Sequence, residues 1–144
     1  MLFVRADRPI AFSSTADGGR IVVTSALADA LTRSELRAVL EHERAHLVFR
    51  HDALLRIARL NRACVPGLFG ARAFDTAVHL LVELAADDAA ARVCGAATLA
   101  GALRRAAELE PNEWASIRAA RLDAVQPLPA SREATVRKGL LYKL

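Results

Sequence analysis

Five consecutive residues carry the most specific chemistry in the chain: His42-Glu43-Arg44-Ala45-His46, an HExxH pattern. In a helix, residues four apart lie on one face, so His42 and His46 can present two imidazole nitrogens to a single tetrahedral metal ion. Glu43 lies about 100° around the helix from His42, on the side of His46. That puts its carboxylate beside the metal and not on it, where a base accepts a proton from an attacking water. With four His and eight Glu in the chain, a chance HExxH has odds of roughly one in a hundred or less.

A catalytic zinc site takes three protein ligands and keeps a fourth position open. Glu83, 37 residues after His46, is the leading third ligand, within Glu83-Leu84-Ala85-Ala86-Asp87. Asp87 follows one turn later and His79 precedes by one turn, so all three share a face. His79 is the alternative ligand to Glu83. Asp87 suits a different role, that of accepting a hydrogen bond from the far nitrogen of a ligand histidine. Glu43-Arg44-Ala45-His46 is also an ExxH unit of the di-iron kind. That class needs a second ExxH, and none of the eight glutamates but Glu43 has histidine three residues on.

The elements that must position these residues follow from local pattern. Ile10–Ser13 and Arg20–Thr24 are short β-prone runs around an Asp17-Gly18-Gly19 turn signal, which predicts a hairpin or wide β-loop. From Ser25 onward the pattern is helical. Thr32 and Glu35 form a capping box that opens one long helix, predicted from Arg33 to Cys64 and stopped by Val65-Pro66-Gly67. Its apolar stripe is Leu36, Val39, Leu40, Leu47 and Leu54, with Glu43 near the middle and Glu41, Arg44 and His51 on the outward side. A carboxylate centred on a buried face is costly without a partner or a chemical role. Residues 66–73 read as a loop. Further helices are expected over Phe74–Val93, Ala97–Leu109, 112–124 and, capped by Ser131, to about Leu141, with Gln126–Pro129 extended.

The chain has 144 residues, 53% hydrophobic, 25% charged and 5% aromatic. That is enough for one sizeable core and excludes intrinsic disorder. One domain is expected over residues 1–144, mainly helical with a small N-terminal β element (an α+β class). The net charge of +4 is spread along the chain and predicts no nucleic-acid partner. Arg132, Arg137, Lys138 and Lys143 read as a solvated helix face. Cys64 and Cys94 read as free thiols in a reducing compartment. No secretory signal and no apolar run of about 18 residues appear. The nearest stretch, Ala77–Leu99, is interrupted by Glu83, Asp87, Asp88 and Arg92.

Taken together, Arg20–Leu27, Ser34–His46 and Glu83–Asp87 resemble the gluzincin peptidases, and more narrowly the membrane zinc peptidases of the HtpX and BlaR type. The resemblance runs from about residue 10 to 95 and more weakly to the end. It implies a zincin-like fold, one catalytic zinc ion held by His42, His46 and Glu83, Glu43 as general base, and Asp87 behind a histidine ligand. It implies a polypeptide substrate, with the strand around Ala11-Phe12-Ser13 pairing to an extended peptide. His51-Asp52 resembles the BlaR-like branch and reads as structural. Members of the HtpX type carry a Thr-His-Pro segment followed by an arginine. Leu128-Pro129-Ala130-Ser131 lacks that histidine, and Arg137 is the match to the arginine.

The expected chemistry is peptide-bond hydrolysis, with His79, Arg137 and Tyr142 as candidate donors to the carbonyl oxygen or lining residues. The competing class is a non-catalytic or latent zinc-containing module that binds a peptide or partner protein, with residues 112–144 over the cleft. The intact Glu43 argues for catalysis. The expected location is cytoplasmic: either a short soluble gluzincin, or the cytoplasmic-side soluble domain of a membrane peptidase whose flanking segments bring it near the bilayer.

Overall fold

The computed structural model describes residues 1–15, 18–65 and 70–124. It is α+β and mostly helical, with a three-stranded sheet at the N-terminal end. The strands are β1 (Leu2–Val4), β2 (Ala11–Ser14) and β3 (Arg20–Thr24), in the order β1-β3-β2. β2 runs antiparallel to β3, with Phe12 opposite Val22 and Ser13 opposite Ile21, the expected hairpin pairing. β1 was not anticipated. It pairs parallel to β3, Leu2 opposite Val22. Its crossover is tied by Thr24, whose buried hydroxyl accepts from the Ile10 amide at 2.9 Å and donates to the Arg8 carbonyl at 2.8 Å. Three residues with exposed side chains carry too little periodicity to be read as a strand.

The helices are α1 (Ser25–Ala30), α2 (Arg33–Val48), α3 (His51–Cys64), α4 (Ala71–Cys94), α5 (Ala96–Leu109) and α6 (Glu113–Ala124). The capping box at Thr32 and Glu35 is present, with the Thr32 amide donating to the Glu35 carboxylate at 2.9 Å. Arg105 on α5 donates to the other carboxylate oxygen at 2.9 Å, so the same glutamate starts α2 and anchors α5.

One expectation fails here. The long helix over 33–64 is two helices, divided at Phe49 and Arg50. Phe49 closes α2 by donating its amide to the Ala45 carbonyl, and Arg50 is left-handed with φ 52°. No glycine or proline marks the break, so local propensity continues straight through it. The turn redirects α3: Leu54, expected in the apolar stripe, is exposed, and His51, expected outward, is buried. α4 also starts earlier than predicted, at Ala71, after Gly70 in a left-handed conformation. Gly95 ends it, as read from the sequence.

Two buried clusters join these elements. Ala38, Ala90, Leu99, Ala100, Ala119 and Leu122 lock α2, α4, α5 and α6 together. Val23, Leu27, Leu31 and Ala102 fix the sheet and α1 against α5. Alanine dominates the first cluster, which allows close helix approach and brings α2, α4 and α6 into side-chain contact at one point. Among the described residues, no helix is long and apolar enough to cross a membrane. The expected extended segment at 126–129 and the last helix lie outside the described residues.

Candidate metal centre

α2 carries His42, Glu43 and His46 on the face turned toward α4, and α4 answers with Glu83 and Asp87. The His42 and His46 Nε2 atoms are 3.1 Å apart. Glu83 Oε2 is 3.5 Å from His42 Nε2, and Oε1 is 3.4 Å from His46 Nε2. One donor atom from each of the three lies within 4.8 Å of the others. Donors 2.0–2.1 Å from a tetrahedral zinc ion sit about 3.3 Å apart. The three spacings bracket that value, and two imidazoles with one carboxylate are a zinc donor set, so the residues fit the ion.

Behind these donors lies a polar layer. Asp87, with a fully buried side chain, places Oδ1 3.0 Å from His42 Nδ1. Arg118 on α6 clamps Asp87 from the other side, Nε to Oδ2 at 2.7 Å and Nη2 to Oδ1 at 2.6 Å. Its Nη1 reaches Glu83 Oε2 at 2.7 Å, which leaves Oε1 facing His46. His51, at the start of α3, sets its Nδ1 3.1 Å from His46 Nδ1. Sequence reasoning missed Arg118. One signal was available: Ala115, Ala119 and Leu122 form a buried stripe on α6, and Arg118 is the charge set beside it.

The electrostatics follow from these contacts. Burial works against a charge on His42, but its hydrogen bonds to Asp87 and then Glu83 outweigh that and raise its pKa to about 9. Burial and the neighbouring His42 charge push His46 down to about 4. Burial raises Glu43 above the ordinary glutamate value, against the opposing pull of His42 and of a hydrogen bond from Ser13 on β2. Burial works to raise Glu83 and Asp87 too, but hydrogen bonds and nearby cations hold both below the carboxylate range.

The donors open onto a cleft of about 430 Å³. Ala11, Phe12 and Ser13 form one rim, Arg118 and Ala115 the other, and Leu99, Leu103 and Ala106 an apolar side. β2 lies at the edge of the three-stranded sheet and borders this cleft, and its Ser13 side chain hydrogen-bonds Glu43. His79 is not in the donor cluster. Its half-exposed ring lies 3.8 Å from Asp75, in an adjoining cavity shared with Trp114, Glu83 and Arg118. α6 frames the cleft. Arg137 and Tyr142 lie outside the described residues. Neither Cys64 nor Cys94 joins the cluster, and both are free thiols.

Residues 1–128 match the family model of peptidase family M48. The chain belongs to peptidase family M48. That bears out the resemblance to zinc metallopeptidases related to the HtpX and BlaR type, and places this M48 chain among the metallopeptidases, whose substrates are polypeptides. No curated protein and no solved structure matches it. The match extends past α6, so the segment that brings Arg118 to the donors falls within the M48 region.

Proposed function

We propose that the chain is a zinc-dependent endopeptidase in which His42, His46 and Glu83 hold the ion and Glu43 is the general base. The observation that carries this reading is the convergence of the three donors at tetrahedral spacing, with the Glu43 carboxylate beside them and outside the donor set. Zinc, when bound, supplies Lewis acidity toward the peptide carbonyl and acidifies water at the open position. Glu43 accepts the proton of the attacking water at its carboxylate and delivers it to the leaving amine nitrogen. Its largely buried setting raises its proton affinity, which suits both halves of that transfer. Asp87 fixes the His42 ring so that Nε2 points at the ion, and Arg118 holds Asp87 and Glu83 in register. In this reading the outer edge of β2 pairs with an extended peptide, laying its backbone across Glu43. Of the donors considered for the carbonyl oxygen, His79 is the one among the described residues, within the cavity that adjoins Glu83.

The test is Glu43→Gln in the purified chain. Zinc content should stay at the wild-type level, while hydrolysis of an unstructured polypeptide falls by about a hundredfold or more. A Glu43→Gln protein that cleaves as fast as wild type removes Glu43 from the chemistry. A wild-type chain that binds no zinc at micromolar concentration removes the metal assignment itself.

A further inference from the structure

We infer that His51 is the positioning residue for His46, the counterpart of Asp87 behind His42. The inference rests on His46 being a metal donor. The two histidines of the motif need their rings held so that Nε2 faces the ion, and a ring is held through its other nitrogen. For His42 that partner is Asp87, at 3.0 Å. For His46 the group at the other nitrogen is the imidazole of His51, Nδ1 to Nδ1 at 3.1 Å, with ring centroids 4.8 Å apart and planes at 84°. The near-perpendicular rings aim one nitrogen's N–H at the other's in-plane lone pair. His46 Nδ1–H donates, and His51 Nδ1 accepts, its own proton residing on Nε2.

The backbone is built to make this contact. Had α2 continued, His51 would sit five residues on from His46, about 140° around the helix and off the metal face. Arg50, the described non-glycine residue with positive φ, turns the chain instead. A left-handed non-glycine residue is uncommon and persists where surrounding contacts hold it. Two such contacts follow the turn. His51 is only 4% exposed, and Asp52 accepts a 2.7 Å hydrogen bond from the Thr15 hydroxyl, tying the start of α3 to the end of β2. A neutral acceptor also has an electrostatic advantage here. Glu83 and Asp87 already supply two carboxylates, and His51 orients the second ring without a third.

The test is zinc affinity, by competition with a chromophoric chelator, in three variants of the full chain. His51→Phe keeps a buried ring and removes the acceptor; His51→Asn restores an acceptor, its Oδ1 in the place of Nδ1. His51→Phe should bind zinc about 10- to 100-fold more weakly and shift the absorption bands of bound cobalt(II), while His51→Asn recovers both to within a few-fold of wild type. A His51→Phe protein with unchanged affinity and cobalt spectrum overturns the inference, as does equal weakening in both variants. If His51→Phe does not fold, zinc-loaded wild type decides by NMR: the His46 Nδ1 proton should be protected from solvent exchange, and rapid exchange overturns the assignment. His46→Ala separates the two readings. Undiminished zinc binding there means that the metal site itself is wrong. Lost binding there, beside an unaffected His51→Phe, means that only His51 is wrong.

Discussion

Arg118→Met removes the guanidinium that reaches both Glu83 and Asp87, while keeping an unbranched apolar chain of similar reach. The Arg118 side chain is 12% exposed and that of Asp87 0%, so their two-pronged pair is a buried one. Breaking a buried pair from one side costs about 3–5 kcal/mol, because the remaining charge stays desolvated. Asp87 keeps its 3.0 Å contact with His42, and Glu83 is 35% exposed and reaches water, so the lower end applies, about 3 kcal/mol. For a chain of this length that corresponds to a fall in melting temperature of about 10 °C. The assay is thermal or urea unfolding at pH 7 with chelator present, so that metal binding adds nothing to either side. Arg118→Lys should fall between, since one ammonium cannot reproduce the planar fork on Asp87. Combining Arg118→Met with Asp87→Asn should cost less than the sum of the two, by about 2 kcal/mol. A loss below about 1 kcal/mol in Arg118→Met, or strict additivity with Asp87→Asn, would refute the view that α6 is held to the site through this pair.

The chelated protein should be most stable near pH 6.5. His42, raised to about 9, adds stability that is lost as pH climbs from its unfolded value toward 9. His46, lowered to about 4, stays neutral when folded, so stability is lost as pH falls from 6.5 toward 4. Asp87→Asn should flatten the alkaline limb, and an unfolding series across pH in chelator that shows no such limb in wild type contradicts the assignment. Glu35→Ala should cost about 1–2 kcal/mol, mostly from the capping box because Arg105 is half exposed, and denaturant unfolding measures it. Phe12→Ala, on the exposed rim of β2, should raise KM for an unstructured polypeptide about fivefold or more with little change in kcat. An unchanged KM would separate β2 from substrate binding.

Much of the site was legible before any coordinates. A spacing of four on a helix fixes a shared face through backbone geometry alone, so the convergence of His42 with His46, and of Glu83 with Asp87, follows from sequence. The capping box that opens α2, the β2–β3 hairpin and the glycine stop of α4 are local in the same sense: each is decided by residues a few positions apart. The family match over residues 1–128 agrees with what those short patterns indicate.

What the sequence left undecided lies where distant parts of the chain meet. Arg118 is one of 20 basic residues, and only the packing of α6 on α5 brings it against Asp87, 31 positions earlier. β1 exists because β3 offers an edge, not because Leu2–Val4 has a strand's periodicity. The division of the 33–64 helix is decided by the burial of His51 and the Thr15–Asp52 bond, which outweigh a local preference for continuous helix. Helical periodicity is a property of neighbours, so it gave the faces of α2 and α4. Pairing buried charges is a property of the assembled core, so only the tertiary structure brought Arg118 and His51 in behind the donors.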